Sequence, residues 1–528
     1  MQKKLQLSLL TVAFLSQLHA QEITLDTLTV TSATKAKQTL QEVTSNTEVI
    51  TAEEIEERRF TTVLQALNSL SGISFSNNGG LGKATSLYVR GFDSSRVLVL
   101  IDGVRYNDIT GLNGAPFEHL SLSDVEKIEV IKGAQSGIWG ADASAGVINI
   151  ITKSAQQGLH VSGRYNTKKF AANISYKNDD FYIKAASELL ESDGFSAVIP
   201  ENGDVESAEK DGYRNNTTNL KAGYSFTSTD QINITYTLIN AQSDYDPTQY
   251  NPYPTIDYTQ TANAYGEEKT RDEFRQITFK HIDSFNEFQL YAKGSKFDRD
   301  YINTSTKNYK GQVLEYGTNS KIPYRDNDFV LINLEYKNFK DTSESITNSN
   351  KEYSNKAGSI TNSNIVNFNG EKFIFTEALR YDHYDKFDSK TSGKLGFKYN
   401  SKTLKTFSYS INGGTAYNVP RINQLYTSYG NPDLQPENTT SFDTTIEYVG
   451  FKATYFYNSI KDMIEWDSGY NNLSGKSILK GFEIGYNDYI TDELLADISY
   501  TSLDAKNKDK KNLARRPKST IKYALTYY

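Results

Sequence analysis

From residue 154 to its end the chain alternates apolar with polar side chains. Leu159, Val161 and Tyr165 interleave with His160, Ser162 and Arg164, and Ile232, Ile234, Tyr236 and Leu238 interleave with Asn233, Thr235 and Thr237. Ile521, Tyr523, Leu525 and Tyr527 repeat the pattern near the last residue. Successive side chains of a strand point to opposite faces, so a period of two predicts strands with one oily and one wet side. Segments of about ten residues, repeated with no helical interruption, predict an antiparallel transmembrane β-barrel. The rival is a soluble β-sandwich or a solenoid, and no fixed-period repeat supports the latter. About seventeen strand-like segments follow residue 153. Short turns such as Lys177–Asp180 and Thr227–Asp230 take turns with long polar loops at 191–212, 243–270, 301–325 and 419–437. Tight turns on one rim and large loops on the other are the asymmetry of outer-membrane barrels.

Residues 21–153 follow a different pattern. After an extended stretch at 23–33, Thr51-Ala52-Glu53-Glu54-Ile55 opens a helix with acidic residues in its first turn, and Val63–Leu70 reads as an amphipathic segment stopped by Gly72. Short apolar runs at Ser86–Arg90, Val97–Ile101, Lys127–Ile131 and Val147–Thr152 predict buried strands. This is the pattern of a compact α+β domain.

The first residues carry Lys3 and Lys4, then the mostly apolar Leu5–Leu15, and close at His19-Ala20. A charged start, an apolar core and a small final residue predict a signal peptide over residues 1–20, cut after Ala20. Beyond it no run reaches the roughly 18 apolar residues of a spanning helix. Of 528 residues only 37% are hydrophobic and mean hydropathy is −0.58, as a barrel that hides its span in alternation requires. The 37 Tyr and 26 Phe suit a membrane interface. A net charge of −7 argues against nucleic acid as a partner. Cys is absent, which excludes disulfides and thiolate metal sites, and the five His show no zinc-binding spacing.

Several strings, in order, resemble one family. Leu25-Asp26-Thr27-Leu28-Thr29-Val30-Thr31 comes first, then Leu87-Tyr88-Val89-Arg90-Gly91, Val97–Asn107, and Ile128-Glu129-Val130-Ile131-Lys132-Gly133-Ala134. Trp139–Lys153 and, far downstream, Tyr417–Tyr426 with Gly430–Glu437 complete the set. The chain resembles the TonB-dependent outer-membrane receptors, most closely their cobalamin (vitamin B12) branch. The resemblance implies a Gram-negative outer-membrane transporter and not an enzyme, with residues 21–36 as TonB box and linker, 37–153 as an α+β plug, and 154–528 as the barrel around it. The family has about 22 strands. With about seventeen visible, the barrel is expected to lack strands at its C-terminal end.

The resemblance also assigns sites. Leu25, Asp26, Thr27, Leu28, Thr29, Val30 and Thr31 would be the TonB box, and a Thr/Val-rich stretch can dock by strand addition. Ala84, Ser86, Asp93, Leu112 and Asn113 would touch ligand. Glu209, Asp211, Asp246 and Asp257 would hold calcium, which takes six to eight oxygens. Ser196 stands where the branch has an acid and Lys210 intrudes, so a plain solvated acidic loop is the other reading. Arg90, Arg105, Glu126 and Glu129 are expected in plug–barrel ion pairs. Cobalamin is the expected cargo and a ferric siderophore the alternative, haem being disfavoured by the scarcity of His. An inactive truncated receptor or a surface binding protein is the non-transporting alternative.

Overall fold

A computed structural model describes residues 28–528 other than 112–113, 199–202, 205, 207, 252–256, 261–265, 304–305, 347–350, 405 and 467. The expected signal peptide and residues 25–27 of the expected box lie outside the described residues.

Alternation becomes a wall. Along Phe329–Asp341 the residues Asn333, Glu335 and Lys337 are buried toward the interior, while Ile332, Leu334 and Tyr336 are exposed on the outer surface. Lipid rewards the apolar row and the filled lumen accommodates the polar one. Among the described residues eighteen strands form one sheet in sequence order, from Gly158–Tyr165 to Ser519–Tyr527, each pair of neighbours antiparallel. The count exceeds the expected seventeen by one because Thr306–Pro323 is a strand, where the polarity of 301–325 predicts a loop. Among the described residues the first and last strands do not pair with each other.

Turns on one rim are minimal. Asn369 and Gly370 (φ 55° and 87°) join paired Phe368 and Glu371, and Val449 and Gly450 (φ 46° and 73°) join Tyr448 and Phe451. Positive φ at both positions is the two-residue turn that matches strand twist. The opposite rim carries longer connections, including two small hairpins, Thr248–Asn251 with Asp257–Gln260 and Ile464–Trp466 with Tyr470–Asn472.

Inside lies the α+β plug. Its sheet runs Thr47–Thr51, Val125–Lys132, Gly146–Thr152, Val97–Ile101 and Val104–Arg105, with Gly146–Thr152 parallel to Val97–Ile101 and antiparallel to Val125–Lys132. All five residues of Val97–Ile101 are buried, which is why that run is continuously apolar. The predicted helices form at Ala52–Glu57 and Val63–Ser69, capped by Thr51 and Thr62 hydroxyls that accept from the Glu54 and Gln65 amides. Asn327 and Asn400, near short turns, donate to Glu42 and to the Gln41 carbonyl, which sets the N-terminal part of the plug at the short-turn rim.

Two plug arginines close onto wall carboxylates with both edges engaged. Arg90 donates Nε and Nη2 to the two oxygens of Glu483 (2.9 and 3.1 Å), and Arg96 does the same to Glu437 (2.8 and 2.5 Å). The other expected plug–barrel pairs differ. Arg105 pairs with Asp142 within the plug, Glu126 accepts from Ser154, and Glu129 is paired with Lys127. Reach explains this: Glu129 lies on a central strand of the plug sheet and is fully buried there, away from the wall.

Candidate functional site

Toward the long-loop rim a cavity of about 680 Å³ opens between plug and barrel. Its floor is plug: Ala84, Thr85, Asp108, Thr110, Gly111, Gly114 and Glu118. Its wall is barrel, and the register shows how the sequence builds it. Arg299 and Tyr301 share one face of Glu287–Ile302, and opposite them on Thr306–Pro323 stand Tyr309 and Lys307, respectively. Tyr245 meets Tyr301 edge-on at 6.0 Å between centroids, and Tyr301 meets Tyr309 likewise at 5.7 Å. The Arg299 guanidinium lies 5.5 and 5.6 Å from the Tyr301 and Tyr309 rings. Such a surface offers flat aromatic faces and cationic donors to an oxygen-rich aromatic anion. Burial pushes the Glu118 carboxyl up to about 8 and the neighbouring His119 imidazole down to about 3, so both are uncharged at neutral pH.

The plug loop flooring this cavity is fixed by the barrel. Arg421 donates to the Gly111 carbonyl and Asn423 to the Thr110 carbonyl (2.9 Å), both from the Tyr417–Tyr426 string.

At the other end of the plug the N-terminal segment folds back as a small hairpin, Thr29–Val30 against Gln38–Thr39. The carboxylate of Glu129 accepts from the Thr31 amide (3.1 Å), the Ser32 amide (2.9 Å) and the Ser32 hydroxyl (2.6 Å). Trp139 donates Nε1 to the Ser32 carbonyl at 2.8 Å. Lys35, which adopts a left-handed φ of 65°, lies 5.0 Å from the Trp139 ring and reaches Asn333 and Glu335 of the wall at 3.0 and 3.1 Å. Burial lowers the Lys35 ammonium to about 8 even with Glu335 beside it.

Residues 39–147 match the family described as TonB-dependent receptor plug domain, and residues 149–528 match the TonB-dependent receptor-like β-barrel. The chain belongs to the TonB-dependent receptors. These are transport receptors of the Gram-negative outer membrane, not enzymes. Similar solved structures include the siderophore receptor PirA from Acinetobacter baumannii, at 17% identity over 92% of this chain and 84% of that one with a TM-score of 0.75. A point mutant of the ferric enterobactin receptor PfeA from Pseudomonas aeruginosa gives 18%, 95%, 85% and 0.73. PiuA from Acinetobacter baumannii, a siderophore receptor, gives 16%, 94%, 86% and 0.69. At such identities the likeness is one of fold.

In this receptor the candidate ligand residues scatter. Ala84 lines the cavity; Leu112 and Asn113 lie outside the described residues, although Gly111 and Gly114 beside them line it. Ser86 sits in the strand Thr85–Val89 and is not part of the lining. Asp93 is taken up by Arg96, Ser95 and Arg516, which outweigh its burial and hold its carboxyl at about 2. Of the calcium set, Glu209, Asp211 and Asp246 come within 4.8 Å of one another, while the Asp257 side chain lies outside the described residues. Ser196 donates to Asp246 at 3.0 Å, and Lys83 of the plug approaches Asp211 at 3.8 Å. Burial pushes the Asp211 carboxyl up against the pull of Lys83. Of the box, Leu28–Thr31 are described; they pair in the hairpin and are bonded to Glu129 and Lys127 of the plug sheet. Sequence reasoning missed Arg299, Tyr301, Tyr309 and Lys307. The period-two pattern that places Arg299 with Tyr301 is visible, but which phase faces inward requires knowing the register.

Proposed function

We propose that this receptor imports a ferric siderophore, captured in the cavity at the long-loop rim and released inward when TonB draws on residues 25–31. The observation that carries this reading is the cavity wall of Tyr245, Tyr301 and Tyr309 around Arg299, with Lys307 beside it. Aromatic rings and fixed cations suit the chelate's aromatic, anionic oxygens. The siderophore receptors PirA and PiuA and the ferric enterobactin receptor share this fold and support the same cargo class. A pull on the N-terminal segment acts on the hairpin first, because Thr31 and Ser32 are bonded to the plug through Glu129. Uptake of radioiron-labelled ferric siderophore by cells carrying the receptor, with and without TonB, tests this. Saturable uptake that requires TonB is expected. Binding with no uptake would favour a surface binding protein.

The cobalamin reading keeps one observation, the acidic trio Glu209, Asp211 and Asp246, which as hard oxygen donors would suit calcium between two outer loops. Lys83 is the rival cation there. Calcium-dependent binding of labelled cyanocobalamin, tighter than that of any iron chelate, would restore it.

A further inference from the structure

The arginines that join plug to barrel are not alike. Arg90 and Arg96 each present a fork to both oxygens of one carboxylate, an arrangement that fills the site and fixes geometry. Arg299 Nη2 lies 3.1 Å from Asp108 Oδ2 with no forked hydrogen-bond pair between the two among the described residues, and Glu268 and Asp272 also act on the guanidinium electrostatically. Its Nε–H has no hydrogen-bond partner among the described residues. Nη2 has a further, longer contact of 3.4 Å to the Thr110 hydroxyl. Both Arg299 and Asp108 line the cavity, and Tyr301 and Tyr309 hold the guanidinium over their rings. Arg299 is therefore positioned by aromatic packing, with donors left over.

Asp108 has a second task on its other oxygen. Oδ1 accepts from the Thr110 amide and the Thr110 hydroxyl, both at 2.8 Å, which closes the turn of the plug loop. The two oxygens thus separate two roles: Oδ1 shapes the loop and Oδ2 occupies Arg299. The cavity lining also carries Lys307 and the Glu118 carboxyl, which burial keeps protonated.

We propose that the Asp108–Arg299 pair is the charge filter of the cavity: Asp108 competes, through one oxygen, with an anionic group of the ligand for Arg299. An anionic iron chelate of the catecholate class takes the guanidinium, whereas an uncharged chelate of the hydroxamate class leaves it on Asp108 and gains nothing from it. Transfer of Arg299 also removes the ion pair that ties this plug loop to Glu287–Ile302. The inference rests on the siderophore reading and deepens it by naming the class of chelate.

The test is equilibrium binding of two probes to the purified full-length receptor, a ferric tris-catecholate chelate and a ferric tris-hydroxamate chelate, read by quenching of intrinsic fluorescence. In Asp108→Asn the amide oxygen still accepts from Thr110 while the competing charge is gone. The ratio of catecholate to hydroxamate affinity should rise by about tenfold, equivalent to about 1.4 kcal/mol. Arg299→Gln should lower that ratio by a similar factor. Thr110→Val, which loosens the loop turn without changing charge, should shift both affinities together, so that their ratio stays within about twofold of wild type. If Asp108→Asn lowers the ratio or leaves it unchanged, or if Thr110→Val moves it as Asp108→Asn does, Asp108 only shapes the loop and the charge filter is overturned. Failure of the wild-type receptor to bind either chelate would instead overturn the siderophore reading itself.

Discussion

At the short-turn end of the plug, a fully buried carboxylate draws its hydrogen bonds from the receptor's own N-terminal segment; at the long-loop end, a plug carboxylate meets a barrel arginine that faces an open cavity. The donors on Glu129 can be withdrawn along the chain, and Lys127 is then the partner that remains on it. The partner of Asp108 can be withdrawn by an arriving ligand. The forked pairs of Arg90 and Arg96, on Glu483 in mid-strand and on Glu437 at the long-loop end of its strand, draw their donors from the body of the plug and act as fixtures. A buried charge that loses its partners is costly, so the end that depends on removable donors is where force can loosen the plug sheet. The same chemistry, carboxylate against donor, serves as a catch or as a fixture according to who supplies the donor.

The largest effect is expected from breaking the pull itself. Leu28→Pro keeps the carbonyl that accepts from the Leu40 amide but removes a strand N–H, so energised uptake should fall to background while ligand binding persists. Normal energised uptake by this variant would show that residues 25–31 do not pair with TonB as a strand. Next comes the fixture: Arg90→Ala leaves Glu483 buried with only part of its cation set and should weaken plug docking by about 3–5 kcal/mol. Thermal unfolding and sensitivity of cells to large antibiotics would register the loosened plug, and an unchanged midpoint would count against the fork as a fixture. Glu129→Gln should be milder, about 1–2 kcal/mol, because an amide oxygen still accepts from Ser32 but without charge. Faster protease cutting within 28–39 should reveal it.

The smallest concerns pH at the cavity floor. With its folded pKa raised from 4.5 to about 8, Glu118 keeps a proton that the unfolded chain has released, so its contribution is present at low pH and is lost as pH rises across that window. Glu118 is only partly buried and faces the cavity, so solvent mutes the effect. Glu118→Gln should flatten the fall in thermal midpoint between those pH values, and an identical slope in both proteins would contradict the assignment.

Much of this was legible in the sequence. Alternation predicts the wall, and Val97–Ile101 and Val147–Thr152 predict plug strands that form at nearly those bounds. Thr306–Pro323 was illegible as a strand because its polar residues, Lys307, Asn308, Lys310 and Gln312 among them, resemble loop composition. Thr306–Lys310 pairs only with Glu287–Ile302, beyond the part from Gly311 on that is paired on both sides, so these residues need no apolar phase of their own. The Tyr417–Tyr426 string carries only a family resemblance in the sequence, yet its Arg421 and Asn423 fix the cavity floor. The cavity itself was not readable, since Asp108 and Arg299 lie far apart in the chain and meet only through the docking of plug in barrel.

Trp139 and Trp466 are the only tryptophans, and Trp139 is bonded to Ser32 and faces Lys35. In a Trp466→Phe receptor, emission therefore reports directly on the N-terminal segment. Adding the periplasmic fragment of TonB at saturating concentration should shift Trp139 emission to the red as Ser32 and Lys35 leave it. Unchanged emission with TonB demonstrably bound would contradict the removable catch on which the account rests.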